Sequence, residues 1–356
     1  MEGQVPRVRD IGEFRLIDRI ARIVGPPGRG ALIGIGDDTA LLEPREGRLL
    51  LATCDVQVEG VHFLREVISP RQLGRRALAI NLSDIASMGG IPRWAILSLV
   101  LPPDLPVSWV EEFYTGLREE GEQFEVPVVG GNLSRSPGPL VVDLTLLGEV
   151  EPELIVERRG ASPGDLLIVT GELGLAGAGL LVLQDRRPGG EEGELVQAFL
   201  TPRPRVREGR LIATSRLARA MIDLSDGLAS DLHRLCQASG VGARIEAVRL
   251  PLPEAVRQTA QEREIDPLEL ALFGGEDYEL LVAASPEAAS SLVRLLADAG
   301  VPARVIGEVR PQDEGISLVF PDGTVRPLPP AGWDHFAARE EIPGGGGGRW
   351  QTDSSA

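Results

Sequence analysis

The sequence predicts an α/β (α+β) protein of two domains, each with a mixed sheet covered by helices. Three observations lead there. Short apolar runs rich in Val, Ile and Leu alternate with amphipathic segments along the chain, the pattern of strands and helices sharing a core. That pattern restarts near residues 151–164, where "EPELIVERRGASPG" interrupts it with proline, glycine and charge. The chain has 356 residues, enough for two cores at ~100–200 residues per domain. The expected divisions are 1–154, 155–337 and a glycine-rich tail, 338–356, which has no core-forming pattern.

Each element follows from its own stretch. Residues 11–24, "IGEFRLIDRIARIV", set Ile11, Phe14, Ile17, Ile20 and Val24 on one helical face and predict a core-facing helix. "PPGRG" breaks it, and "RLLLATCDVQVEGVHF" is β-rich. "SPRQLGRRALAINLSDIASMGG" predicts a helix stopped by Gly89 and Gly90, with Arg71, Arg75 and Arg76 on a solvated face or, alternatively, at a dimer contact. "WAILSLVLPP" is a strand closed by prolines. "VSWVEEFYTGLREEGEQF" is a helix, "VPVVGGNLS" a strand entering a glycine turn, and "PLVVDLTLLGEV" a further strand. In the second half, "GDLLIVTGELGLAGAGLLVL" reads as strand, glycine-rich loop and helix. "ARAMIDLSDGLASDLHRLCQASG" reads as strand, loop and helix, with Leu228, Leu232 and Leu235 on one face, Cys236 in the core and His233 at the surface. "FGGEDYELLVAAS" is a glycine turn into a strand, and "ASSLVRLLADAG" is a helix.

Composition narrows the function. A formal charge of -17 repels a nucleic-acid backbone, and repels a phosphorylated small molecule unless cations intervene. The two cysteines, Cys54 and Cys236, form no CxxC pair, which argues against a zinc ribbon or a disulfide framework. No apolar run reaches the ~18 residues of a membrane span, and the N-terminus lacks a signal-peptide core. A cytoplasmic protein is expected.

Carboxylates recur after apolar strands or beside glycine: Asp37 and Asp38 in "GIGDD", Asp55 in "ATCD", Asp84 in "NLSD", Asp223 and Asp226 in "IDLSDG", and Glu276 and Asp277 in "GGED". Any one of them reads most simply as a turn or helix cap. As a set they suit hard cations such as Mg²⁺, which take oxygen ligands and share them with substrate phosphates. No P-loop, dinucleotide fingerprint or protein-kinase signature is present. "GLAGAG" leaves helix packing and phosphate contact both open.

"GIGDDTALL", "EGVHF", "ALAINLSDIASMGG", "VVGGN", "RRGASPGDLLIVTG", "IDLSDGLASDL", "FGGEDYEL" and "GWDHF" occur in that order. Together they resemble the thiamine-monophosphate kinase family, within the wider aminoimidazole ribonucleotide synthetase-like superfamily. The resemblance covers residues ~10 to 336. It implies the two-domain fold of that superfamily, a homodimer formed through N-terminal domains, and ATP-dependent phosphorylation of thiamine monophosphate requiring several Mg²⁺ ions. By motif, it implies metal contacts at Asp38, Thr53, Cys54, Asp55, Asp84, Asn132, Asp223 and Asp226. It implies ATP contacts at Tyr114, Gly131, Asn132, Arg158 and Ser225, and substrate contacts at His62, Glu276 and Trp333. Two residues depart from the family pattern. Asn132 stands where Asp is usual after the paired glycines, and Cys54 where Thr is usual; a thiol is a poor Mg²⁺ ligand. The nucleophile is the substrate's own phosphate oxygen, so no general base is needed, and direct in-line transfer is expected. Glu276 could offset the cationic thiazolium, and Trp333 could stack on a ring. Another ATP-dependent synthetase of the superfamily and a non-catalytic nucleotide-binding relative remain alternatives.

Overall fold

The computed structural model describes residues 6–36, 39–185 and 193–332. The chain divides into two compact units, Met1–Ile155 and Val156–Ala356.

In the first unit the elements run α1 (Val8–Ile11), α2 (Glu13–Val24), β1 (Ala31–Ile33), β2 (Leu41–Leu42), β3 (Leu49–Val58), α3 (Pro70–Ser87), β4 (Ile91–Leu101), α4 (Val107–Phe124), β5 (Val128–Arg135) and β6 (Val141–Val150). The described residues build a four-stranded sheet in the order β3-β6-β4-β5. Its β4–β5 pair is parallel and the other pairs are antiparallel. One face is covered by α3 and α4. A reciprocal capping box starts α3: Ser69 Oγ accepts from the Gln72 N–H, and Gln72 Oε1 accepts from the Ser69 N–H, with Pro70 in the first turn.

The two helices approach to backbone contact. A Cβ at Gly116 would lie 1.9 Å from the Arg71 carbonyl oxygen, and one at Gly74 would lie 2.0 Å from that of Phe113. The three arginines divide. Arg71 is exposed as expected, and it and Arg75 donate to Glu119 and Glu120 of α4. Arg76 is a correction: it is 2 % exposed rather than solvated, on a side of α3 about 200° round from Gly74 and the α4 seam.

Two further expectations need amending. The N-terminal helix is divided at Gly12 (φ 76°), so Ile11 belongs to α1. The buried residues of α2 are Leu16 and Ile20, while Phe14 is 81 % exposed. Helix α2 meets α4 along one narrow line, flanked by Arg19 donating to Glu111 (2.6 Å), so only the i, i+4 pair on that line is covered. The "VVGGN" glycines make no turn: β5 runs straight through them. A Cβ at Gly131 would lie 2.0 Å from the Leu97 carbonyl oxygen. Glycine there permits close strand approach rather than reversal.

In the second unit the elements are β7 (Leu166–Thr170), α5 (Leu175–Asp185), α6 (Glu194–Leu200), α7 (Val206–Ser215), β8 (Ala220–Asp223), α8 (Leu228–Ser239), β9 (Gly242–Glu246), α9 (Glu254–Glu262), α10 (Pro267–Phe273), β10 (Leu280–Ala284), α11 (Pro286–Asp298), β11 (Ala303–Arg310), β12 (Ile316–Val319) and β13 (Val325–Pro327). The described residues form a seven-stranded mixed sheet, β13-β12-β9-β11-β7-β10-β8, in which β9 and β12 are parallel. Leu228, Leu232 and Leu235 of α8 are buried in its core with Cys236. Burial pushes the Cys236 thiol up to about 12. His233 is half-buried rather than at the surface, with Nε2 2.8 Å from the Leu328 carbonyl oxygen. The "GLAGAG" stretch lies within and before α5, where a Cβ at Gly179 would sit 2.0 Å from the Leu195 oxygen of α6. Its small residues serve helix packing.

No helix of the described residues is long and apolar enough to cross a membrane.

Replacing Gly116 by Ala should force α3 and α4 apart. We expect a loss of about 3 kcal/mol in urea unfolding. Gly138→Ala, where nothing lies within 4 Å, should change stability by less than about 0.5 kcal/mol.

Candidate active site

Strand alternation sorts the first unit's candidates onto two faces. Thr53 and Asp55 lie on the side of β3 that meets α3, and Thr53 Oγ1 donates to Asp84 Oδ2 of α3. These three oxygen-bearing side chains, each half-buried, form a hard donor set. Cys54, between them in sequence, points the opposite way. Its thiol donates to Asp143 Oδ1 (3.0 Å), and burial together with Asp143 raises its pKa. On that outer side the register places Val56, Asp143, Ser98 and Asn132 side by side across β3, β6, β4 and β5. Asn132 is exposed and so is Gly131. The two departures from the family pattern therefore share a face, and Asp143 lies with them. Sequence reasoning passed over Asp143; a lone carboxylate in the apolar run "VVDLTLL" was the available signal.

His62 lies just past β3. Its Nδ1 accepts from the Val58 N–H (3.0 Å), so the neutral ring carries its proton on Nε2. Tyr114 is 4 % exposed and meets Phe113 edge-on at 5.6 Å; burial raises its hydroxyl pKa. It is a core residue in this structure.

In the second unit the acidic loop follows β8. Asp223 ends the strand and is 3 % exposed; Ser225 and Asp226 follow. A further acid, Asp231 of α8, organises them. Its Oδ2 accepts from the N–H groups of both Ser225 and Asp226, each at 3.0 Å. Asp231 is fully buried. Desolvation, then the Asp223 and Asp226 charges, push its carboxyl up to about 8. Arg234 partly offsets the cluster, reaching Asp226 at 2.5 Å and Asp231 at 3.2 Å. Sequence reasoning missed Asp231, which sits in "ASDL" at an ordinary helical position.

The "GGED" loop joins this segment. The Glu276 N–H donates to the Ser225 oxygen (2.8 Å) and the Tyr278 N–H to that of Leu224 (2.9 Å). Glu276 (φ 64°) and Tyr278 (φ 50°) hold left-handed backbone, uncommon for such residues. Asp277 between them accepts from the N–H groups of Gly174 (2.9 Å) and Ala176 (3.4 Å) at the start of α5. Burial pushes the Asp277 carboxyl up to about 7. Arg205 then grips Glu279 with two donors, and Thr170 donates to the same carboxylate (2.6 Å). Arg158 is exposed near the unit's start, its carbonyl accepting from Ser239 (3.2 Å). Asp38 and Trp333, like Asp37 and the tail at 338–356, lie outside the described residues.

The chain matches two family models: the AIR synthase related protein N-terminal domain over residues 36–150, and the corresponding C-terminal domain over residues 162–319. It is 40 % identical to the thiamine-monophosphate kinase of Aquifex aeolicus over 93 % of this chain and 100 % of that one. It is 39 % identical to that of Escherichia coli K12, over 92 % and 98 %. The chain belongs to the thiamine-monophosphate kinase family. Among solved structures, the thiamine-monophosphate kinase of Stenotrophomonas maltophilia K279a matches with a TM-score of 0.76 at 34 % identity, covering 88 % of this chain and 97 % of that one. AaThiL complexed with AMPPCP and TMP matches with a TM-score of 0.73 at 37 % identity, covering 94 % and 100 %.

For a member of the thiamine-monophosphate kinase family, the donor chemistry fits Mg²⁺. Thr53, Asp55 and Asp84 supply only oxygens, and the Asp223 and Asp226 carboxylates lie close enough to Asp231 for their charges to raise its pKa, with Arg234 as a partial offset. Among the described residues, however, no group of three or more His, Cys, Asp or Glu side chains converges on one point.

The Asp277 carboxyl gives a pH test. Its folded pKa is raised above the ~3.9 of an unfolded Asp. The stability it contributes is therefore complete below about pH 4 and is lost as pH rises towards about 7. In urea unfolding across that window, the wild type should lose more stability than Asp277→Asn. Parallel curves would contradict the assignment.

Proposed function

We propose that the protein transfers the γ-phosphoryl group of ATP to the phosphate of thiamine monophosphate, giving thiamine diphosphate. The observation that carries this reading is likeness along nearly the whole chain to thiamine-monophosphate kinases, including AaThiL solved with AMPPCP and TMP.

The residues suggest how. Two phosphorylated reactants repel each other, by about 1 kcal/mol per unit-charge pair at 4 Å in water and more in a drier site. Asp55, Asp84 and Thr53 in the first unit, and Asp223 and Asp226 in the second, would hold Mg²⁺; Asp38 belongs to the same expected set. When bound, Mg²⁺ supplies the charge neutralisation that phosphoryl transfer needs. His62 can donate from Nε2 to a substrate phosphate oxygen, because its Nδ1 is already occupied. Ser225 and Arg158 offer ATP a hydroxyl and a guanidinium. Glu276, held on a strained backbone, can face the thiazolium cation. The accepting phosphate oxygen is ionised near neutral pH, so transfer is direct and in line, with inversion at a chiral phosphorus. Use of ATP suits a cytoplasmic enzyme.

The same reading includes a homodimer through the first unit. The sheet face opposite α3 and α4 leaves Leu50 55 % and Val56 45 % exposed on β3, the terminal strand of its sheet. A second copy would cover them.

An ATP-dependent assay for thiamine diphosphate tests the activity. Asp223→Asn should lower kcat by at least about 100-fold, as expected when one charge-stabilising group is lost. Asn132→Asp should reduce the Mg²⁺ concentration needed for half-maximal rate; an unchanged requirement removes position 132 from the metal set. For the dimer, Val56→Arg should shift the protein to monomer in light scattering.

A further inference from the structure

Five arginines gather at one end of the first unit, in a chain whose net charge is -17. Arg29 lies in "PPGRG", Arg45 and Arg48 before and at the edge of β3, Arg93 in β4 and Arg118 in α4. Arg93 is 7 % exposed, and its guanidinium carbon lies 5.0 Å from the centre of the Trp94 ring. Its compensation is thin. Glu149 Oε2 lies 3.4 Å from Arg93 Nε and 3.8 Å from Arg45 Nε. Neither Arg93 Nε nor Glu149 Oε2 makes a hydrogen bond. One buried carboxylate thus serves two guanidinium groups at long range. Burial lowers the Arg93 pKa, and the neighbouring Arg45, Arg29 and Arg48 charges lower it further against the pull of Glu149.

Beside this under-compensated cation is a cavity of about 330 Å³ whose lining includes Arg29, Arg93 and Arg118. Val126 and Pro127 supply an apolar wall. Gly28 packs directly against this wall: a Cβ there would lie 2.8 Å from the Pro127 side chain. Two acids, Glu122 and Glu125, are also on the lining. Glu122 is engaged by Arg118 at 3.6 Å, and Arg29 makes no ion pair among the described residues. A dianion would add the counter-charge that Glu149 does not provide, and the planar guanidinium is well matched to phosphate oxygens.

We propose that this arginine-lined cavity of the first unit is a binding site for a small phosphate-class anion, separate from the residues assigned to phosphoryl transfer. The ligand is either free inorganic phosphate or a phosphate monoester whose apolar body rests on Val126 and Pro127.

Thermal unfolding with EDTA present tests it, titrating sodium phosphate or phenyl phosphate against sodium chloride at matched ionic strength. EDTA withholds the divalent cations that the acidic clusters would need to hold phosphate. A saturable, phosphate-specific rise in Tm is expected. Arg29→Glu with Arg118→Glu, both at exposed positions, should weaken binding at least about tenfold per guanidinium lost. Arg29→Lys should retain part of it. The kinase KM and kcat should be unchanged in both variants. Tighter saturation by phenyl phosphate identifies a monoester ligand, and equal or weaker saturation identifies free phosphate. A rise no larger than chloride gives, or one undiminished in the double variant, overturns the site.

Discussion

The acidic loop of the second unit takes its shape from one buried carboxyl. Asp231 accepts from the N–H groups of Ser225 and Asp226, and everything around it follows from that grip. Fixing Ser225 orients its carbonyl toward the Glu276 N–H, and the neighbouring Leu224 carbonyl receives Tyr278. Gly275 must then pass within contact of the Ser225 backbone: a Cβ on it would lie 2.8 Å from that oxygen. The strained Glu276 and Tyr278 backbones cost of order 1–3 kcal/mol each. They persist because Asp277 on the start of α5 and Glu279 on Arg205 hold both ends. A buried acid with no catalytic motif of its own thereby places two candidate metal ligands and one candidate substrate ligand.

The first unit solves the same problem by strand alternation. A strand cannot present three consecutive side chains to one side. "TCD" therefore divides, with Thr53 and Asp55 toward Asp84 and Cys54 toward Asp143. Family motifs read along the sequence treat such neighbours as one cluster. The pleat makes them two, with the hydroxyl and carboxylates of Thr53, Asp55 and Asp84 on the inner side and the Cys54 thiol on the outer side beside Asp143.

Patterns carried within one element or by its immediate neighbours were legible in the sequence. The strand–helix alternation, the α8 face of Leu228, Leu232 and Leu235, and the helix through "NLSD" all follow from periodicity and caps that act locally. What escaped depended on partners distant in sequence. Arg71 and Arg75 read as simply solvated until Glu119 and Glu120 of α4 are laid against them, and Phe14 reads as core until α2 is seen to touch α4 on a narrower line. "VVGG" reads as a turn because the constraint on Gly131 is the Leu97 backbone, about thirty positions away. Asp143 and Asp231 carry no sequence signal beyond a charge among apolar residues, since their importance lies in what they accept from.

The two departures from the family pattern are best understood together. Asn132 and Cys54 occupy the same outer face, and the register sets Asn132 beside Ser98 and Ser98 beside Asp143. An Asp at 132 would add a second carboxylate to the row that already carries Asp143. With Asn the row keeps one formal charge, and Cys54 gives that charge a neutral donor, because burial and Asp143 both favour the protonated thiol. A Thr hydroxyl at 54 could donate in the same way, so the substitution conserves the hydrogen bond while changing the atom. The physical difference is then concentrated at 132, where a carbonyl oxygen replaces a carboxylate. The inner set of Thr53, Asp55 and Asp84 is untouched by either change, since the sheet itself separates them.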